Sequence, residues 1–561
     1  MSFLTVTRAT LSTLSPVHLG SGEDFLPTNY VIDDHGWLHS FNEMVIAQAL
    51  EPQKLIALQL LIKNEKDGSF LLRKIQSFIY QEREKIASLA NCTIPVASGF
   101  VTDYQEKVGK TVQTESNSKA VLNKLAVMRT FTNPHSHLPI MTGSAIKGAI
   151  RTAILNQLAI KSGLKKPQDV RDSRKLPNEL LAFRNPSDDP LKLLKISDAE
   201  YHHVDNLPAT EVLFAVSKRR VAKEGKTAGG PTTYLEAVSG FRGQAFNFDL
   251  RFLENPSQDP NRKLPKDIKA LASICNDYYL PKLKKELREL NDMCYLADNY
   301  VSGLNRLLDG ELGVALQQNK AFLLRLGKHS GAYNKTLDNI RAIEIPQHKE
   351  VINMRGYDKK VAIKVAETPE VRLAATASSK QAVDLLPFGW VLIELDNIFL
   401  TQTHNTLKEL ALANNAYSQR DKLIQLKQTQ EQAKIQLAID MAERERILAN
   451  QLADELAQKQ VEEAEKIRQA GLPVYERAIS NFKKAFEEDK PKNKSKNRQF
   501  RSESTLGKQL INFINEVKAD WPTETIEEVK KITEEAFKYL GADRKTKGQA
   551  KELWQKLQVP N

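Results

Sequence analysis

Apolar residues in the first 400 positions fall mostly into short runs, and short runs predict strands. Phe3–Thr7, Asn29–Ile32, Leu194–Ser197, Glu211–Val216, Ala245–Phe252, Phe322–Leu326 and Trp390–Leu395 are rich in branched or aromatic side chains. Helical periodicity lies between them, at about 43–61, 70–90, 116–128, 145–160, 265–290 and 294–309. Strands and helices alternating through long loops predict an α+β fold, with two ferredoxin-like β-α-β-β-α-β units in a body over 1–400. Their mutual boundary is expected near 210–240.

After Trp390 the pattern changes. No Gly or Pro occurs from Trp390 through Ala470, and Leu423, Leu426, Ala433, Leu437, Met441, Leu448, Leu452 and Leu456 recur at spacings of three, four or seven. That predicts a long helix or helical hairpin over 401–471, stopped by Gly471-Leu472-Pro473. A basic linker is expected over 472–503, with 489–501 disordered. A small module over 504–561 follows, with helices at about 505–518, 523–540 and 544–558 and Gly541 as a helix stop.

Composition narrows the partners. Apolar residues at 41% and charged residues at 27% describe a folded chain. No apolar run approaches the ~20 residues of a membrane helix, and Arg8 within an alternating Thr/Val/Leu opening predicts a strand rather than a secretory leader. Lys and Arg number 81 against 69 Asp and Glu, a net +12 that favours polyanionic partners. Cys92, Cys275 and Cys294 show no C-x-x-C spacing and suit a reducing cytoplasm.

Four segments carry candidate chemistry. Leu14–Gly22 ends a strand in His18-Leu-Gly20-Ser21-Gly22, a loop whose backbone N–H groups either face an anion or simply turn. It lacks the third glycine of a dinucleotide fingerprint. Pro139–Leu155 predicts a capped helix with Ile146, Ala149, Ile150, Ala153 and Ile154 buried. Gly143 and Ser144 at its start, and Lys147 and Arg151 on its far face, are then set for a phosphate backbone or for solvent. Val216–Gly230 is a basic excursion carrying Lys218, Arg219, Arg220, Lys223 and Lys226, a finger able to neutralise phosphates or a solvated loop. Phe322–Thr336 runs from an apolar strand into a Gly-bounded loop with Lys328, His329, Ser330, Tyr333 and Lys335. It is not a Walker loop, and its donors and aromatic ring suit RNA. His135-x-His137 and His202-His203 match no zinc spacing, so no metal or cofactor is expected. Asp33-Asp34-His35-Gly36 reads as a hairpin turn.

Together, LSPVHLGSG (14–22), PIMTGSAIKGAIRTAIL (139–155), LKISDAEY (194–201), LLRLGKHSGAYNKT (323–336) and PFGWVLIEL (387–395) resemble the RAMP superfamily of CRISPR-associated proteins. The resemblance is to the terminal, crRNA-end-capping subunit of type III-A effector complexes, and it spans about 1–400. It implies guide-RNA contact through His18, Gly20–Gly22, Gly143–Arg151, the basic finger and Lys328–Lys335, toward the crRNA 3′ end. It also implies a cytoplasmic complex with a neighbouring backbone RAMP subunit, support of crRNA maturation through host trimming nucleases, and no enzymatic activity of its own. Two alternatives stay open. One is a metal-independent RNA-processing endonuclease using His18 or His329 as general base. The other is a coiled-coil interaction protein dominated by 401–471.

Overall fold

The computed structural model describes residues 4–110, 113–114, 120–121, 125–202, 204–220, 228, 233–253, 263–352, 358–365, 367–492, 502–542 and 548–558. The chain divides into two compact units, 1–437 and 438–561. The division falls inside the long helix, Ala416–Gly471, rather than at either of its ends.

The first unit is α+β. Its largest sheet has the order Ala321–Arg325, Trp390–Leu395, Leu4–Thr13, Arg242–Leu253, Ala199–Tyr201, Ile140–Met141, with Leu194–Ile196 also paired to Arg242–Leu253. A six-stranded sheet runs Leu386–Pro387, Glu370–Ala375, Thr210–Arg219, Thr233–Val238, Val127–Thr130, Gly20–Phe25. Among the described residues, every ladder of these two sheets is antiparallel except that between Thr233–Val238 and Val127–Thr130. All seven strands expected from short apolar runs are present, several extended at their ends. The expected helix over 116–128 falls largely outside the described residues, and Val127 belongs to a strand. Asp33–Gly36 is a turn held by its own carboxylate. Asp33 accepts from the amides of His35 and Trp37 and from His39 Nε2, the last at 2.9 Å.

The helix Ile268–Asp292 fastens the edge of the large sheet. Asn276 Nδ2 donates to the carbonyls of Leu316 and Ala321, and its Oδ1 accepts from Leu323 N. Nearly three turns on, Glu286 receives Arg325 Nη1 at 2.8 Å and Trp390 Nε1 at 2.8 Å. Arg325 and Glu286 side chains are only 1% and 5% exposed.

The long helix does not read as one uniform stripe. Leu423 is buried, and Ala433 and Leu437 pack on a core of Val31, Phe41, Val45, Ile79, Ile86 and Leu89. Beyond the unit boundary Met441, Leu448, Leu452 and Leu456 are exposed.

In the second unit, helices Val474–Lys492, Thr505–Asn515, Thr523–Leu540 and Gln549–Gln558 share one core. The expected linker over 472–503 is thus helical through Lys492, while 493–501 lie outside the described residues. Ile479, Phe482 and Phe486 recur at three and four residues and are buried, with Phe482 stacked 4.6 Å from Phe513. The charge of the segment hides that apolar face. Gly541 ends its helix in the left-handed region at φ 68°. No described helix is long and apolar enough to cross a membrane.

Removing Glu286 strands Arg325 in a dry environment, and breaking a buried pair this way costs roughly 3–5 kcal/mol. Glu286→Ala is expected to lower the unfolding free energy of the first unit, measured by denaturant titration, by that amount. A change under about 1 kcal/mol would show that Arg325 finds other compensation.

Candidate nucleic-acid interface

Two loops predicted far apart in sequence meet. Lys328 N donates to the His18 carbonyl at 2.8 Å. Gly327, at φ 79°, permits this contact, because a Cβ there would lie 2.3 Å from that same carbonyl oxygen. Gly389, at φ 92°, makes the neighbouring crossing, with Leu326 N donating to its carbonyl and its own N–H to Pro16 O. Only glycine fits such close left-handed crossings.

The first loop is a strand, not a free turn. Gly20–Phe25 is an edge strand of the six-stranded sheet, and its register against Val127–Thr130 shifts between Gly20 and Asp24. Ser21, Gly22 and Glu23 therefore bulge out and are exposed, with Gly22 at φ 87°. Within the bulge Glu23 N donates to Ser21 Oγ, and the broken ladder lets a ligand approach the exposed backbone.

Beneath the bulge, His18 is 1% exposed and its Nδ1 lies 2.6 Å from the Glu236 carbonyl. A carbonyl only accepts, so Nδ1 carries the proton and Nε2 is the basic nitrogen, directed toward Gly20. Burial depresses the His18 pKa, and nearby Lys328 adds to the effect against the raising influence of the Glu236 hydrogen bond. His329 is pushed down to about 4 by burial and by Lys328, Arg372, His18 and Lys335. Its ring lies 5.4 Å from Phe388, and its Nε2 is buried without a hydrogen-bond partner.

The second loop is braced from within. Ser330 Oγ and Lys335 Nζ both donate to Gly327 O at 2.8 Å, and Asn334 Nδ2 donates to Ser330 O. Ser330 is fully buried and so positions the loop rather than meeting a ligand. Lys328 stays exposed, with Met128 Sδ as its recorded side-chain contact.

The basic finger contributes less than its charge suggested. Arg220 Nη2 would lie 3.8 Å from a Cβ at Gly331, but its guanidinium faces Glu289 at 3.2 Å and Glu286 at 3.8 Å. Lys218 lies over the Tyr295 ring, and Arg219 continues the strand Thr210–Arg219 opposite Glu370. Lys223 and Lys226 lie outside the described residues.

The helix start at Gly143 has an occupant. Gly143 N donates to Asp198 Oδ1 at 2.7 Å, and Thr142 caps Ala145 N. A Cβ at Gly143 would lie 2.4 Å from Ile196 O, so this glycine serves close packing. Arg151 Nη1 pairs with Asp189 at 2.6 Å. The positive helix end expected to face phosphate is thus answered by an internal carboxylate. Ser144 is exposed, and Lys147 is half-buried with a pKa lowered by burial and by Lys195. Asp198 belongs to the LKISDAEY segment, which no ligand-seeking reading of that segment singles out.

A family description, RAMP superfamily, matches residues 10–292, half of the chain. The chain belongs to the RAMP superfamily. Among solved structures, a chain of a Csm–crRNA–target RNA ternary complex from a type III-A CRISPR-Cas system is 17% identical, the match covering 69% of this RAMP protein and 100% of that chain at a TM-score of 0.40. Csm5 of T. onnurineus is 16% identical over 68% of this chain and 99% of its own, at a TM-score of 0.37. No curated protein matches.

Glu236 also makes the site pH-sensitive. Its carboxyl, 2% exposed, is pushed up to about 7 by burial, against the lowering effects of Arg129 and of hydrogen bonds from Thr210 and Thr130. The folded value lies above the ordinary 4.5, so the native state favours the protonated form and loses stability as pH climbs toward 7. Glu236→Gln is expected to match wild type near pH 4.5 and to exceed it above pH 7 by on the order of 3 kcal/mol. Melting temperatures of both proteins across that range would show a widening gap. A gap independent of pH would contradict the assignment.

Proposed function

We propose that this chain is a non-catalytic, RNA-binding subunit of a type III CRISPR effector, holding guide RNA at the junction of the Gly20–Gly22 bulge and the Lys328 loop. The carrying observation is that junction: an exposed backbone bulge beside an exposed lysine, fixed by the Lys328 N–His18 O hydrogen bond. Exposed backbone and a cation are what phosphates require. Membership in the RAMP superfamily supports placing the bound nucleic acid in a CRISPR context. Contact toward the crRNA 3′ end and support of guide maturation are part of this reading, as is a ferredoxin-like origin for the sheets.

The scaffold role is favoured over RNA cleavage by the state of the two histidines. His18 is buried, so its Nε2 does not reach a ribose hydroxyl without a rearrangement. His329, with its pKa near 4, is a weak base at neutral pH. Partners in such an assembly include a neighbouring backbone RAMP subunit and host trimming nucleases. The exposed Leu448, Leu452 and Leu456 support a protein-binding role for the long helix.

Lys328→Glu is expected to weaken binding of single-stranded guide RNA by about tenfold and to lower the salt slope by ~0.7 for the lost phosphate contact, with melting temperature unchanged. Arg151→Glu should instead lower the melting temperature, because it breaks the pair with Asp189. Wild-type protein should leave repeat RNA intact in chelator. Cleavage abolished by His329→Ala would overturn the scaffold reading, and unchanged affinity in Lys328→Glu would overturn the site.

A further inference from the structure

The first turns of the long helix wall a groove of about 460 Å³ on the first unit. Its other sides are the strand residues around Thr93, the turn at Ser136–Leu138 and the loop Asn206–Thr210. The wall is fixed in place. Gln430 Nε2 donates to Ala87 O and to Thr93 Oγ1, both at 2.9 Å, and Ala433 and Leu437 pack into the core below. Leu423 and Leu207, both nearly buried, form an apolar floor.

Cations outnumber acids in this groove. Lys427 and Lys434 stand two helical turns apart on either side of Gln430, both exposed, and neither has an ion pair among the described residues. Across from them stands His137, half-buried, whose pKa is lowered by burial and by Arg129, His135 and Lys434. Among the lining residues the only carboxylate is Glu431. A concave surface with uncompensated cations concentrates anions. Its volume lies at the low end of small-molecule pockets, about 300–1,000 Å³, enough for one nucleotide.

The groove also adjoins the loop site. Ser21 Oγ in the bulge donates to Arg129 O, and the strand Val127–Thr130 leads into the turn that carries His137. One continuous segment, 127–138, therefore borders both places.

We propose that this groove is a second RNA-contact site, where one nucleotide of a single strand leaving the Gly20–Gly22 bulge is held. Lys427 and Lys434 take its flanking phosphates, and its base lies against Leu423 and Leu207. Asn91 and Asn206 offer hydrogen bonds to the base edge. This gives the start of the long helix an RNA-binding role, and it rests on the RNA-binding function proposed above. An acidic peptide would use the lysines equally but has no need of the apolar Leu423 and Leu207 beside them, which favours RNA.

The test uses full-length protein and a fluorescein-labelled single-stranded RNA bearing 4-thiouridine. Lys427→Glu/Lys434→Glu is expected to weaken binding at least tenfold and to lower the salt slope by about 1.4, two phosphates' worth for a single strand, with melting temperature unchanged. Lys427→Gln/Lys434→Gln, which removes charge without reversing it, should show a smaller loss in the same direction and guards against misfolding. Ultraviolet cross-links should map to peptides spanning 423–434 or 134–138. Unchanged affinity in both double variants, with Lys328→Glu still defective, overturns the groove and leaves the function standing. If wild type binds no RNA, both fall. Loss of a protein partner with RNA affinity intact makes the groove a protein-docking site and overturns the proposal.

Discussion

Glu286 belongs to a helix, yet two further elements end on its carboxylate and a third approaches it. Arg325 arrives from the sheet edge and Trp390 from the neighbouring strand, each at 2.8 Å, while Arg220 from the root of the basic finger comes within 3.8 Å. Desolvating an acid and two guanidinium groups is costly, and their mutual pairing offsets part of that cost. The consequence is positional. Arg325 is the last residue of its strand, and the Gly327–Lys335 loop begins two residues later. A displaced Arg325 would carry that loop away from His18, so this buried ion-pair cluster holds the Gly327–Lys335 loop in register.

The loop junction shows how glycine, charge and burial divide the work. Gly327 and Gly389 let backbones cross where a side chain would collide, and Gly22 lets the edge strand bulge. Histidines that look catalytic in sequence are dried out beneath the surface and kept neutral. Serine and asparagine brace the loop from inside, and of its two exposed cations Lys335 turns back onto Gly327 O while Lys328 faces out. On the proposed reading, such a site would hold a strand without supplying a base to cut it.

Much of this was legible in sequence, and the gaps have physical causes. Strands such as Trp390–Leu395 were readable because a buried strand needs a run of branched and aromatic side chains. Gly20–Phe25 was not, because Gly-Ser-Gly-Glu-Asp has no strand preference and pairs only as a bulged edge. The helix Val474–Lys492 was hidden by its lysines and acids, although Ile479, Phe482 and Phe486 mark its buried face. At Gly143 the cap and the apolar stripe were correctly read, but the occupant of the helix end sits 55 residues away, at Asp198. Arg220 was counted as a free cation because its partners, Glu286 and Glu289, lie on a distant helix. Local pattern reveals which elements form; long-range pairing decides which charges remain free.

The most direct test of the account is to sequence the RNA retained by tagged full-length protein purified from its native host. The account predicts CRISPR-derived spacer–repeat RNAs with discrete 3′ ends, recovered together with other effector subunits. Bulk cellular RNA without CRISPR enrichment, or no RNA at all, would contradict it and leave a RAMP fold whose exposed helix serves another assembly.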